Sequence, residues 1–151
     1  MYYIIVNPAS KSGKGLKIWS QIEPVLIEKK IKYKLFFSKG IGHVSRLVRK
    51  LSDSLVNNDT DSIIKLIILG GDGTLNEALQ GISDFNRVHL GYIPTGSSND
   101  LARDLHLPKD PVKVLTSILS CRTPSALDLG RLTYDSCSNE LSRQHSNEEA
   151  V

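Results

Sequence analysis

Cysteine is nearly absent: the 151-residue chain has two, Cys121 and Cys137. They lack C-x-x-C spacing and neighbouring clustered histidines, so neither a zinc site nor a disulfide framework is indicated, and a reduced, cytoplasmic setting is expected. No apolar run reaches the ~18 residues that a membrane-spanning helix needs. The N-terminus enters a short strand pattern without a basic region and a long apolar one, so neither secretion nor membrane insertion is expected. Charge of one sign is also in short supply. A formal net charge of +3 permits attraction to phosphates or an anionic membrane surface, and no nucleic-acid partner is expected. Both stock phosphate-binding patterns are missing. There is no G-x-G-x-x-G, and Ser12-Gly13-Lys14-Gly15 lacks the upstream glycine and the hydroxyl residue after lysine that a P-loop requires. The four histidines are scattered and are given no role.

What is present is an ordinary globular composition, 40% hydrophobic and 23% charged, in a chain of single-domain length. Its organising stretch is Leu66-Ile67-Ile68-Leu69-Gly70-Gly71-Asp72-Gly73-Thr74-Leu75-Asn76-Glu77. The run from Ile63 to Leu69 is apolar apart from Lys65, as in a strand buried on both faces. The glycines after it allow positive φ and close backbone approach, so several N–H groups can face one anion. Thr74 is expected to cap the following helix, with Glu77 completing a capping box, which turns the helix's positive end towards the same spot. Asp72 repels a bare phosphate, so its place there implies a divalent cation or a ribose hydroxyl between the two.

Taken in order, Tyr2 to Val6 reads as a strand ending at Asn7-Pro8, and Asn7 to Gly15 as a small basic loop. A helix from about Leu16 to Lys30 follows, with Leu16, Trp19, Ile22, Leu26 and Ile27 on one face and Pro24 predicting a kink or break. Tyr33 to Phe37 is the second strand, and Ser38 to Gly42 its turn. A helix from His43 to Val56 and a polar loop from Asn57 to Asp61 lead to the third strand. After the helix from Thr74 to about Ile82, His89 to Ile93 is the fourth strand and Pro94 to Asp100 a second polar turn. Asn99 or Ser98 is expected to cap a helix reaching Leu105, and Pro111 to open one reaching about Leu119. Ala126 to Leu132 suggests one more short element, and the polar stretch from Thr133 to Val151 reads as a loop or disordered tail. Alternating strands and helices predict an α/β, Rossmann-like, mainly parallel sheet flanked by helices, with all four strand-end turns on one edge. Four such turns facing one rim favour a phosphate-bearing ligand.

Asn7-Pro8 after the first strand, the Gly70-Gly71-Asp72-Gly73-Thr74-Leu75-Asn76-Glu77 turn and Pro94-Thr95-Gly96-Ser97-Ser98-Asn99-Asp100-Leu101-Ala102-Arg103 together resemble the diacylglycerol kinase catalytic domain family. The resemblance covers about residues 2–132. It implies ATP and Mg²⁺ as ligands and a lipid, diacylglycerol or similar, as acceptor. By position it implies nucleotide contacts at Asn7, Pro8, Ser10, Gly13, Ser38, Gly70, Gly71, Asp72, Gly73, Thr74, Asn76, Gly96 and Ser97, with Asp72 also as the catalytic and metal-binding residue. Ser38 and Ser97 stand where the family commonly has threonine, and both keep the hydroxyl. Asn99 and Asp100 are expected to shape the second turn, and Asp128-Leu129-Gly130 matches the passage towards a second domain. Family members run to about twice this length, the further half being β-rich and supplying the general base. Residues 1–132 are therefore expected to form the nucleotide-binding domain and 133–151 a polar tail or linker. The resemblance further implies transient contact with the membrane surface, for which Lys29, Lys30, Lys32 and Lys34 offer one basic cluster, and a homo-oligomer is compatible with it. An NAD-kinase-like enzyme for a small molecule and a truncated, non-catalytic nucleotide-binding module are the alternative readings.

Overall fold

The computed structural model describes residues 1–56 and 62–130. The expected loop at 57–61, the tail at 133–151 and Cys137 lie outside the described residues. The elements run β1 (Tyr2–Val6), α1 (Lys14–Glu28), β2 (Tyr33–Phe37), α2 (His43–Val56), β3 (Ile64–Gly70), α3 (Asp72–Gly81), a 3₁₀ turn (Phe85–Arg87), β4 (Val88–Pro94), α4 (Asp100–Asp104) and α5 (Pro111–Ser120).

The four strands form one sheet in the order β2-β1-β3-β4, and every pairing is parallel. An α/β fold with a parallel sheet is therefore what the alternation of patterns produced. Side chains alternate across the pleat, which sorts the core into two layers. Ile4, Val6, Ile67, Leu69 and Ile93 pack against α1 and α5 through Ile18, Trp19, Ile22, Leu26, Val114 and Leu115. On the opposite face Ile5, Leu66 and Ile68 meet Val44 and Val48 of α2 and Ala78 of α3. Burial of this completeness, with Ile67 at 0% exposure, makes truncation of such a residue to alanine cost about 2–5 kcal/mol.

The register places the strand ends side by side: Val6 pairs with both Phe37 and Leu69, and Gly70 with Pro94. Backbone bonds carry the ladder one residue further, from Asn7 N–H to the Leu69 carbonyl at 2.8 Å, from Ser38 N–H to Val6 at 2.9 Å and from Thr95 N–H to Gly70 at 2.8 Å. The chain moves from β1 outward to β2, then returns to β3 on the other side of β1. The order thus reverses between β1 and β3, where an open α/β sheet leaves a crevice beyond its strand ends.

Helix details depart from expectation in instructive ways. Helix α1 runs unbroken through Pro24, so no break occurs there. Its buried face is Gly15, Ile18, Trp19, Ile22 and Leu26, whereas Leu16 and Ile27 are 49% and 64% exposed. Ile27 comes about two and a half turns after Ile18 and so lies on the opposite side of the helix. Helix α3 begins at Asp72, with Gly71 in the N-cap position and no side-chain cap. Thr74 is thus inside the first turn, and Glu77 accepts a hydrogen bond from the backbone N–H of Val44 at 3.2 Å. The expected capping box does not form: Glu77 caps α2 instead of its own helix. Asn99 holds the N-cap position of α4 in the left-handed region, again without a side-chain cap. Asp110 does cap α5, accepting from Val112 N–H at 2.8 Å, with Pro111 opening the helix. Residues 126–130 form neither helix nor strand, and Leu127 and Leu129 are 53% and 49% exposed, so the described part of the expected last element is irregular.

Candidate functional site

Three turns meet beyond the β1/β3 crevice, and side chains tie them together. Asn7 makes two bonds at the end of β1. Its Oδ1 accepts from Ala9 N–H at 3.1 Å, folding the loop into an Asx turn. Its Nδ2 donates to Thr74 Oγ1 at 2.9 Å, joining the first turn to α3. Ser10 Oγ and Thr95 Oγ1 lie 2.6 Å apart, and Thr95 is 0% exposed, so the first turn is also fastened to the fourth. Between them the loop passes Lys11, Ser12 and Gly13 at φ 43°, 56° and 92°. Two of these three are non-glycine residues in the left-handed region, a backbone strain that the flanking bonds hold in place.

The third and fourth turns touch through their backbones. A Cβ on Gly96 would stand 2.6 Å from Gly71 Cα and 2.9 Å from Asn99 Oδ1, and one on Gly70 would stand 2.4 Å from Thr74 Cβ. None of Gly70, Gly71, Gly73 or Gly96 has a left-handed φ. Close approach rather than special backbone conformation is therefore the demand at Gly70, Gly71 and Gly96, which narrows the sequence expectation. Gly73 differs, since nothing lies within 4 Å of where its Cβ would be. Asn99 locks the fourth turn by accepting from Gly96 N–H and donating to the Gly96 carbonyl, both at 2.9 Å.

Asp72 stands in the middle, half-buried at the first position of α3, where the helix dipole favours a negative charge. Its Oδ2 accepts from Asp100 N–H at 3.2 Å, and Tyr92 O–H stands 3.5 Å from Oδ1. Burial, and secondarily the neighbouring Asp72 carboxylate, push the Tyr92 hydroxyl well above the usual phenol range. Tyr92 thus stays a protonated donor. Each Asp72 oxygen has one protein partner here and retains acceptor capacity. Asp100 directs its own carboxylate to Arg103.

Of the residues singled out in the sequence, Asn7, Ser10, Gly70, Gly71, Asp72, Thr74 and Gly96 are drawn together by these contacts. Pro8 lies in the same first turn, half-buried; Gly73 and Asn76 in α3 and Ser97 in the fourth turn are exposed. Gly13 is at the far end of the loop, in the N-cap position of α1. Ser38 is buried at the end of β2 and is separated from the Gly70 turn by β1. Two residues that the sequence reading did not select belong to the arrangement, Thr95 and Tyr92. Thr95 sits inside the Pro94–Arg103 motif. Tyr92 is a polar-tipped aromatic near the end of β4, and that polar handle was its one signal.

Comparisons with known proteins agree on what this geometry resembles. The family model for the diacylglycerol kinase catalytic domain matches residues 1–132. YtlR of Bacillus subtilis, which carries the name of a lipid kinase, is 31% identical over 108 residues, covering 72% of this chain and 34% of that protein. A diacylglycerol kinase of Staphylococcus carnosus is 31% identical over 133 residues, covering 85% and 40%. A diacylglycerol kinase crystal structure from Bacillus anthracis superposes with a TM-score of 0.62 at 25% identity, over 78% of this chain and 40% of that one. The chain spans between a third and two fifths of the length of these relatives.

Proposed function

The chain belongs to the diacylglycerol kinase catalytic domain family, and from that premise we propose that it is the ATP-binding portion of a lipid kinase. The observation that carries the reading is the tying of three turns around Asp72 through Asn7–Thr74, Ser10–Thr95 and Gly71–Gly96. Such a rim suits a polyphosphate: tight backbone turns at a helix start offer N–H donors, and Gly73 leaves open space beside them. Asn7, Pro8, Ser10 and Gly13 on the first turn, Gly70 to Thr74 and Asn76 on the third, and Gly96 and Ser97 on the fourth would hold the nucleotide. Ser38 would flank it from β2.

Among the described residues no group of three or more His, Cys, Asp or Glu could hold a metal. Mg²⁺ commonly takes one or two carboxylates and completes its shell with substrate phosphates and water, and the half-buried Asp72 carboxylate, with one protein partner on each oxygen, keeps acceptor capacity for such an ion. Asp72 would be the protein ligand, with Tyr92 and the Asp100 N–H fixing its orientation. When bound, Mg-ATP supplies the γ-phosphoryl group that a lipid hydroxyl accepts. The chain's own contribution is to position the phosphates and neutralise their charge, which is most of what phosphoryl transfer asks of a protein. The relatives described above are named as lipid kinases, which is why diacylglycerol or a similar lipid, rather than NAD, is the proposed acceptor.

Calorimetric titration of the chain with ATP, with and without Mg²⁺, tests the site. Metal-dependent binding that disappears in Asp72→Ala is expected; equal affinities for both proteins would remove Asp72 from the site. The nucleotide-binding unit is proposed to be residues 1–132, so truncation after Leu132 should leave that affinity unchanged.

A further inference from the structure

The turn between β2 and α2 carries the most exposed large apolar side chain among the described residues. Ile41 is 97% exposed, against 64% for Ile27, the next. Isolated exposed apolar residues are ordinary on soluble proteins, so exposure alone decides nothing. Three further observations set Ile41 apart.

First, the turn is built to hold it out. Gly40 and Gly42 on either side have φ of 154° and 73°. Lys39 N–H donates to His43 Nδ1 at 2.9 Å, while His43 N–H bonds the Gly40 carbonyl at 3.2 Å and Arg46 N–H the Gly42 carbonyl at 3.3 Å. The apex is clasped at its base. Second, it is collared by cations. Lys39 precedes it, the Arg46 guanidinium comes within 3.3 Å of where a Gly42 Cβ would be, and Arg49 and Lys50 continue along an open hollow on the outer face of α2. The acidic groups nearby are Glu77, engaged by Val44 N–H, and Asp53, at the far end of that hollow. Third, it follows a strand end and so lies on the same rim as Asp72. The lysines at 29, 30, 32 and 34, which the sequence suggested for membrane contact, surround the start of β2 at the opposite edge of the sheet.

We infer that the Lys39–Arg46 turn docks the protein on an anionic bilayer, with Ile41 entering the headgroup–acyl boundary and Lys39 and Arg46 meeting lipid phosphates. A short apolar tip inside a basic collar is suited to that interface, where hydrophobic insertion and attraction to anionic lipid act together. The inference rests on the lipid-kinase reading for its choice of a bilayer as partner. It deepens that reading by fixing which side of the molecule faces the lipid: the turn adjacent to the proposed nucleotide rim, so that the rim opens towards the membrane surface.

The test is co-sedimentation of the full chain with phosphatidylcholine vesicles containing or lacking phosphatidylglycerol. Wild type should bind the anionic vesicles, less well as salt rises. Ile41→Ser should weaken binding about tenfold, and Lys39→Gln and Arg46→Gln about fivefold each, while Lys29→Gln/Lys30→Gln should leave it unchanged. Measured against wild type, whose one tryptophan, Trp19, is buried, the emission of Ile41→Trp should shift to the blue on adding anionic vesicles, a readout of insertion that co-sedimentation does not give. Undiminished binding of Ile41→Ser, an emission from Ile41→Trp that ignores vesicles, dependence on the Lys29/Lys30 pair instead, or no binding by wild type would each overturn the proposal, the last pointing to a protein partner for Ile41. ATP calorimetry on the same preparations keeps the two ideas separate. Absence of ATP binding together with Ile41-dependent vesicle binding would sink the nucleotide site and leave the docking surface standing.

Discussion

The contact between Gly71 and Gly96 gives the sharpest prediction, because two glycines on one rim should respond to the same substitution with opposite signs. A methyl on Gly96 would lie 2.6 Å from Gly71 Cα, while carbon atoms in good contact stand about 3.5–4.0 Å apart. Gly96→Ala must therefore push the third and fourth turns apart by about 1 Å, against the Asn99 bonds that lock the fourth turn. Overpacking of this kind costs about 1–3 kcal/mol. Gly73 lies within α3, has no left-handed φ and would have nothing within 4 Å of its new methyl. Gly73→Ala should then stabilise the fold by about 0.4–1 kcal/mol, chiefly by restricting the unfolded chain, while weakening ATP binding if the open space beside it takes a phosphate. Urea unfolding reads the first effect, as a shift of midpoint at constant slope; calorimetry reads the second. If Gly96→Ala were as stable as wild type, or Gly73→Ala lost as much stability as Gly96→Ala, close approach would not be what the Gly-rich turn requires.

Other substitutions probe the remaining ties. Ser10→Ala and Thr95→Val should each destabilise by about 1–3 kcal/mol, because each strands a buried hydroxyl; the double substitution should cost clearly less than their sum, which a double-mutant cycle in urea will measure. Glu77→Ala should lower stability by about 0.5–2 kcal/mol through loss of the α2 cap, and hydrogen exchange should localise the added fraying to the start of α2 rather than α3. The Tyr92 hydroxyl titrates higher in the folded protein than the ordinary 10.0, so above about pH 10 the unfolded chain releases a proton that the folded one keeps. Stability should consequently fall as pH rises past that point, and Tyr92→Phe should flatten the fall; an unaltered alkaline profile would mean that Tyr92 is not held protonated beside Asp72.

Much of the scaffold was legible because it is written in local patterns. Strands β1 and β3 could be found from their apolar, β-branched runs and β2 and β4 from short aromatic and aliphatic stretches that end at turn residues, and the unbroken burial of Leu66 to Leu69 is what a strand covered on both faces needs. Helix α5 was legible from Pro111, and Asp110 supplies the cap that such a start invites. The face of α1 was harder, since apolar residues occur on both sides of it. Pattern alone gave Leu16 and Ile27 the same standing as Trp19 and Leu26, and only the position of the sheet separates them. The described part of the last expected element is irregular for a related reason: Leu127 and Leu129 alternate as a strand would, yet they have no described neighbour strand to pair with.

What could not be read is the choice of partner, and the reason is sequence distance. Asn7 reaches Thr74 across 67 residues, Ser10 reaches Thr95 across 85, and Asp72 receives Asp100 N–H across 28. Thr74 and Glu77 have the spacing of a capping box, so a local reading pairs them with their own helix. In the fold both have stronger claims elsewhere: the Thr74 hydroxyl is committed to Asn7, and α2 crosses close enough for Glu77 to accept from Val44. The start of α3, left without a side-chain cap, thus keeps backbone donors for something other than its own residues. An N-terminus of that kind, with Asp72 beside it and two other turns fastened around it, is more useful to a phosphate-bearing ligand than a helix that had capped itself.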